Sequence, residues 1–280
     1  MPWRLDLSDL KFITPTGLVW LESLCRANHE SVEIIRPKSA DVEMYLSRMR
    51  FYEMIGLSTM REYKASDDKD RFYALTRIEQ ALSSTSADDI VRQVGATLSP
   101  EHQVMKELLY YCVGELVANV RQHASGPGVI ASQYFPKNDQ VELAVADTGI
   151  GILTALQGNP ILREEVRTDK EAVLAAKKAR ISGKTFPSTT YHNRQNMGVG
   201  LYLLSRIAAS TYGYMTLWSG TAYSFQDRNK PDIIREGCKF EGTLVSVRIF
   251  RHQVYSVGDM IKEALHEADE RDDDDNINFE

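Results

Sequence analysis

Cysteine is scarce in this chain: Cys25, Cys112 and Cys238 are the three among 280 residues, and no C-x-x-C pair occurs. That spacing excludes a zinc knuckle and a disulfide framework, and leaves three reduced thiols. No apolar run approaches the roughly 20 residues that cross a bilayer. The opening residues, Met1-Pro2-Trp3-Arg4-Leu5-Asp6, lack the apolar stretch of a secretory leader. Positive charge is not in excess either. A net charge of -6 and a pI near 5.6 argue against a general nucleic-acid binder, whose phosphate contacts need a basic footprint. No internal repeat is visible. These absences predict a soluble cytoplasmic protein without a membrane or nucleic-acid partner. What is present is an ordinary apolar share of 43%, enough for a sizeable core.

Turn residues and charge runs divide the chain. Residues 1–60 read as a small α/β layer, with a helix over Gly17 to Arg26, a short strand Val32 to Ile35 stopped by Pro37, and a helix capped by Ser39. Residues 61–70 are charged and read as a linker. Residues 71–255 read as a second domain. It holds a strand Arg71 to Ile78, a helix Ser86 to Leu98 capped by Ser86 or Asp88, and a long helix Glu101 to about Ala124 that ends at Gly126-Pro127-Gly128. Two strands follow, Val129 to Phe135 and Gln140 to Ala146, then a helix Lys170 to Arg180 and another from Gly200 to Thr211. Three strands close it: Tyr214 to Ser219, Thr221 to Phe225 and Gly242 to Phe250. Neighbouring strands mixed with helices predict an α+β class. Residues 256–280 read as the start of a helix followed by a disordered acidic tail around Asp272-Asp273-Asp274-Asp275.

The long helix carries the first chemical signal. At about 100° per residue, Glu115, Asn119 and His123 fall within roughly 80° of one another, inside the margin of the arc formed by Leu108, Cys112, Leu116 and Leu109. A carboxylate, an amide and an imidazole on a buried edge cost free energy unless each finds a partner. Their spacing, about 6 Å along the axis, suits a triphosphate with its metal. The Asn119 amide oxygen is a ligand for a hard cation, His123 is a phosphate donor, and Glu115 is a base for an attacking hydroxyl.

Two glycine turns supply the rest. Asp147-Thr148-Gly149-Ile150-Gly151 follows a strand, placing an acceptor for an exocyclic amine such as adenine's beside glycines that let backbone lie close to a flat base. Gly198-Val199-Gly200-Leu201 enters a helix, whose first amides suit phosphate oxygens. Thr243, at the start of the last strand, is within reach of the base. Two other phosphate motifs fail. Ser182-Gly183-Lys184-Thr185 has Lys178 where a P-loop needs its first glycine, and both glycine turns lack the third small residue of the dinucleotide fingerprint.

In this order the motifs resemble those of the Bergerat-fold (GHKL) ATPases, which include type II topoisomerases, heat-shock chaperones, histidine kinases and mismatch-repair ATPases. Glu115 to His123 is similar to the N box, Asp147 to Gly151 to the first glycine box, Gly198 to Leu201 to the second, and Gly242-Thr243 to the closing strand. The resemblance covers about residues 85 to 250. It implies ATP and Mg2+ as cofactors, with Glu115 catalytic, Asn119 the metal ligand, and Asn119, His123, Asp147, Gly149, Gly151, Gly198, Gly200 and Thr243 holding the nucleotide. It also implies a mixed sheet with helices on one face and a lid over residues 152–197, where Lys184 is a candidate phosphate contact.

The chain lacks the helical hairpin with a phosphoacceptor histidine that sensor kinases carry. Leu5-Asp6-Leu7-Ser8 through Phe12 to Leu18 instead resembles the STAS fold of anti-sigma-factor antagonists. Pro15 stands where that family has its phosphoacceptor serine, Thr14 replaces its usual Asp, and Thr16 is the nearest hydroxyl. That layer is expected to serve as a docking or dimer surface. The ATPase half is similar to anti-sigma serine kinases, which implies an ATP-dependent switch with a protein partner. The alternatives are an ATPase whose lid closure drives homodimerisation and a sensor that binds ATP without cleaving it.

Overall fold

The structure, a computed structural model, describes residues 3–28, 32–59, 71–80, 83–99, 101–181, 198–228 and 232–277. The expected linker at 61–70 and residues 182–197 of the expected lid, Lys184 among them, lie outside these residues.

The first layer runs β1 (Trp3–Asp6), α1 (Pro15–Ala27), β2 (Val32–Ile35), α2 (Ala40–Arg48) and α3 (Phe51–Met54), and β1 pairs in parallel with β2. Pro15 sits in the first turn of α1, where its missing N–H costs nothing. The Ser39 hydroxyl caps α2 by accepting from Val42 N. Then come β3 (Phe72–Ile78), α4 (Ser84–Leu98), α5 (Gln103–Asn119), β4 (Gly128–Phe135) and β5 (Gln140–Asp147). The cap of α4 is Ser83, which accepts from Ser86 N at 3.1 Å, so neither Ser86 nor Asp88 has that role. After β5 lie α6 (Gly151–Gln157), α7 (Pro160–Glu165), α8 (Asp169–Ala175), α9 (Gly200–Ser210), β6 (Tyr214–Asp227), β7 (Ile233–Phe250) and α10 (Val257–Ile277).

Helix α8 stops five residues before the expected Arg180. A capping box between Thr168 and Glu171 starts it. Beyond its end, Lys177 leaves the helical path to pair with Asp232 and to donate to Ser224 Oγ at 2.5 Å. The expected strands 214–219 and 221–225 are one strand, β6, which stays paired with β7 across irregularities at Ser219 and Gly220. β7 starts at Ile233, well before Gly242. Its outer half is exposed and lacks apolar alternation, so the backbone ladder to β6 forms it, and pattern alone does not reveal it. The acidic stretch expected to be disordered continues α10 as a helix through Ile277.

The class is α+β, but the main sheet is wholly antiparallel, in the order β3-β4-β5-β7-β6, and not mixed as expected. Helices also cover both faces instead of one. Side chains alternate across a strand. Ile130, Val141, Leu143, Val145, Val247 and Ile249 therefore point into a core with α4, α5 and α9. Val129, Ala131, Ala144, Ala146 and Leu244 point the other way, into a core with Leu18, Val19 and Leu21 of α1. The alanines on this second face leave room for α1 to lie close. Trp20 of α1 stacks on Trp218 of β6, with ring centroids 6.4 Å apart.

A polar cluster fixes the register of α1 on the sheet. Glu142 of β5 is 1% exposed and accepts from Thr16 N at 3.0 Å and Thr16 Oγ1 at 2.6 Å. It also pairs with Arg248 of β7. Thr16 Oγ1 lies 2.6 Å from Ser246 Oγ. A carboxylate this deep is tolerated only when its lone pairs are taken, as here. The Thr16 hydroxyl is thus engaged inside the chain, and the layer expected to offer a docking surface presents α1 to the chain's own sheet.

Because Leu18 is fully buried in the core that α1 shares with the sheet, Leu18→Ala should cost about 2–4 kcal/mol. It should lower one common unfolding midpoint, read by far-UV circular dichroism and by tryptophan fluorescence. Two separate transitions, with that of the sheet unmoved, would mean that the layers fold independently.

Candidate functional site

The end of β5, the middle of β7, the last turns of α5 and the start of α9 border a cavity of about 590 Å³. That volume lies within the range of small-molecule sites. Its walls include Glu115, Asn119, His123, Asp147, Gly151, Gly198, Gly200 and Thr243. Eight of the nine residues singled out in the sequence thus meet in one space, and Gly149 does not line it.

The α5 wall departs from the expected regular helix. After Asn119 the chain makes a π-helical turn, Val120–Ala124, which ends at Ser125 in the left-handed conformation. Such turns insert an extra residue per turn and recur at functional sites. The wheel angle that assumed a regular helix therefore does not apply to His123, but His123 still reaches the cavity. Ala124 O, at the end of the π turn, accepts from Ile150 N at 2.7 Å. Gly149 explains itself here: a side chain on it would start 1.8 Å from Ala124 O. Its lack of a side chain lets the Asp147 turn press against the end of the helix.

Asp147 ends β5, opposite Thr243 of β7 and Gly128 of β4. It is 6% exposed. Its Oδ1 accepts from Gly149 N at 2.9 Å. Burial pushes its carboxyl up to about 6; the amides of Gly149 and Thr243 and the charge of Arg26 oppose this. Arg26 comes from α1 on the far face, where it pairs with Glu22 at 3.2 Å and donates to Pro127 O at 3.1 Å. Pro127 O also accepts from Thr148 N at 3.3 Å, so the first layer braces the turn that carries Asp147. Gly242, with φ +98°, is needed because a side chain there would start 2.1 Å from Asp147 O.

The second glycine turn lines the cavity, and Ser219 braces its neighbours. Ser219 Oγ accepts from Ile152 N at 2.9 Å and donates to Gly242 O at 2.8 Å, tying the start of α6 to β7. At the other end, Gly200 opens α9 against Glu115: a side chain on Gly200 would start 2.4 Å from Glu115 Oε2. Val199, at the cap position, provides no side-chain acceptor, so the first amides of α9 suit an anion. Burial raises the Glu115 carboxyl above its ordinary value, which strengthens it as a base near neutral pH.

Sequence reasoning missed Ser219, Arg26, Tyr111, Arg180 and the α10 residues Ile261, Leu265, Ala268 and Asp269. Tyr111 alone carried a usable signal, one turn before Glu115. Among the described residues no three His, Cys, Asp or Glu side chains stand together as a metal cage. The donor set around Asn119 nonetheless fits Mg2+, which keeps most of its waters and takes one or two protein oxygens together with phosphate.

The Asp147 carboxyl has a folded value raised above its ordinary 3.8. Its contribution to stability is therefore whole below about pH 4 and lost as pH rises through about 6. Asp147→Asn should make the ligand-free protein more stable than wild type at pH 8, by about 1–3 kcal/mol, with no gap below pH 4. Urea midpoints at both pH values check this, and an equal gap at both would contradict it. In comparison with known proteins, no family model matches the chain and no curated protein matches it.

Proposed function

We propose that this chain binds ATP with Mg2+ in the cavity between α5, β5, β7 and α9, and that it works as an ATP-dependent switch on a protein partner. One observation carries the reading. Glu115 and Asn119 of α5 and His123 of the following π turn line one cavity together with Asp147, an acceptor for an amine, and with the N-terminus of α9, where Gly200 meets Glu115. Adenine's exocyclic amine suits Asp147, and the flat base suits the close backbone at Gly151 and Thr243. The phosphates suit the amides at Gly200, and Asn119 is the protein ligand of Mg2+. The ion supplies charge neutralisation on the phosphates when bound.

Glu115 favours an active site over a pure sensor. Its carboxylate is largely buried, raised in pKa, and adjacent to the α9 N-terminus. There it accepts the proton of a hydroxyl as the hydroxyl oxygen bonds to the terminal phosphorus and the bond to the leaving phosphate oxygen breaks. The hydroxyl belongs to a serine or threonine of a partner, as in the anti-sigma kinases that the motifs resemble. With water in its place, the same geometry gives an ATPase.

Asn119→Asp and Asp147→Asn should each abolish protection by Mg-ATP in a thermal melt, with an unchanged circular dichroism spectrum. Glu115→Gln should retain that protection and lose phosphoryl transfer by about 10²-fold or more, read with labelled ATP and cell extract. Wild-type protection in the first two variants would remove the proposed pocket. Free phosphate in place of labelled protein would select the ATPase form.

A further inference from the structure

The outer wall of the cavity comes from the C-terminal helix. Ile261, Leu265, Ala268 and Asp269 of α10 line it, at a spacing of four, three and one that keeps them near one helical face. The helix is anchored beside the cavity. Ala264 and Ala268 pack with Tyr202 and Leu203 of α9, Tyr202 OH donates to Ala264 O at 2.8 Å, and Glu267 pairs with Arg206. The last anchor differs in kind, because it lies at the cavity itself: Asp269 pairs with Arg180, and both residues belong to its walls.

Arg180 stands beside the second glycine turn. A side chain on Gly198 would start 2.6 Å from Ile181 O and 3.1 Å from the carbonyl carbon of Arg180. The backbone at Arg180 thus touches the second glycine turn, and Arg180, Gly198, Gly200 and Glu115 all line the same cavity. A carboxylate and a phosphate oxygen accept from the same guanidinium N–H groups. Arginine binds phosphate through paired, charge-assisted hydrogen bonds. An ion pair with side chains 52% and 61% exposed is weak and exchanges readily.

We propose that Asp269 of α10 is a built-in competitor for the phosphate end of the cavity. Arg180 is a phosphate-binding residue that α10 occupies in the nucleotide-free chain, and a polyphosphate binds by displacing the Asp269 carboxylate. This rests on the adenine-nucleotide reading of the cavity. Bound nucleotide and a seated α10 then oppose each other, so the acidic helix reports occupancy of the site.

Calorimetric titration of the full chain with ATP and with adenosine, at fixed Mg2+ and ionic strength, tests this in Asp269→Ala, Arg180→Ala and the double variant. Both side chains are half exposed, so the variants should fold. Asp269→Ala should tighten ATP roughly threefold or more and leave adenosine unchanged. Arg180→Ala should weaken ATP alone, and adding Asp269→Ala to it should restore nothing. ATP affinity indifferent to Asp269→Ala, an equal gain in the double variant, or a parallel change for adenosine would each overturn the proposal. Adenosine binding with ATP indifferent to both substitutions removes the competitor and keeps the pocket. No binding of either compound to wild type or to Asp269→Ala removes both.

Discussion

Strand β5 is buried at every position from Gln140 to Asp147, and the rest of the structure depends on that double burial. A strand covered on one face needs one layer of helices; this one needs two. Its odd-numbered residues from Val141 to Val145 require α5 and α9, and its even-numbered alanines require α1. The first layer is thus a structural necessity for the sheet. Glu142 makes the dependence specific, because an uncovered carboxylate at that depth would lack the Thr16 contacts that satisfy it.

The same strand delivers its last residue into the cavity, and close backbone contacts fix where that residue points. Gly149 rests on Ala124, Gly242 on Asp147, and Ser219 bridges the turn at Gly151 to β7. The three glycines and one hydroxyl bring loops from distant parts of the chain within a few ångströms. Arg26 adds a link through the sheet, from α1 to the Pro127 carbonyl beneath the Asp147 turn. Changes in how α1 sits on the sheet therefore act directly on the acceptor at the end of β5.

Much of this was legible in the sequence where a local rule decides the outcome. The pairing of 129–135 with 140–146 follows from two alternating runs around a turn-rich tetrapeptide. That Glu115, Asn119, Asp147 and Gly200 line one cavity was expected from the resemblance of their motifs to the GHKL boxes, not from any local rule. What escaped depends on partners distant in sequence. The second burial face was hidden because Ala131, Ala144 and Ala146 read as bland strand residues until α1 is set against them. The π turn has no local signature in Val120-Arg121-Gln122-His123-Ala124. The outer half of β7 forms by pairing with β6, and the charge of helix α10 hid its thin apolar face, Met260, Ile261, Ala264, Leu265 and Ala268. Gly149 was singled out for closeness to a base, and the contact that its missing side chain permits here is with the helix end at Ala124.

The charges around the cavity constrain what can enter it. Glu115, Asp147 and Asp269 are carboxylates on its walls, against Arg180 and His123. A polyanion brought into that setting is repelled by those carboxyl groups that are charged, and burial, which favours the neutral forms of Glu115 and Asp147, weakens that repulsion. Backbone amides at the start of α9 offset part of that repulsion, but the partial charge of a helix end is about half a unit. On the proposed nucleotide reading, a divalent cation would offset the charge that the α9 amides leave uncompensated. Asn119 would suit it as a ligand, because a neutral amide oxygen adds no further negative charge to a wall that already carries carboxyl groups.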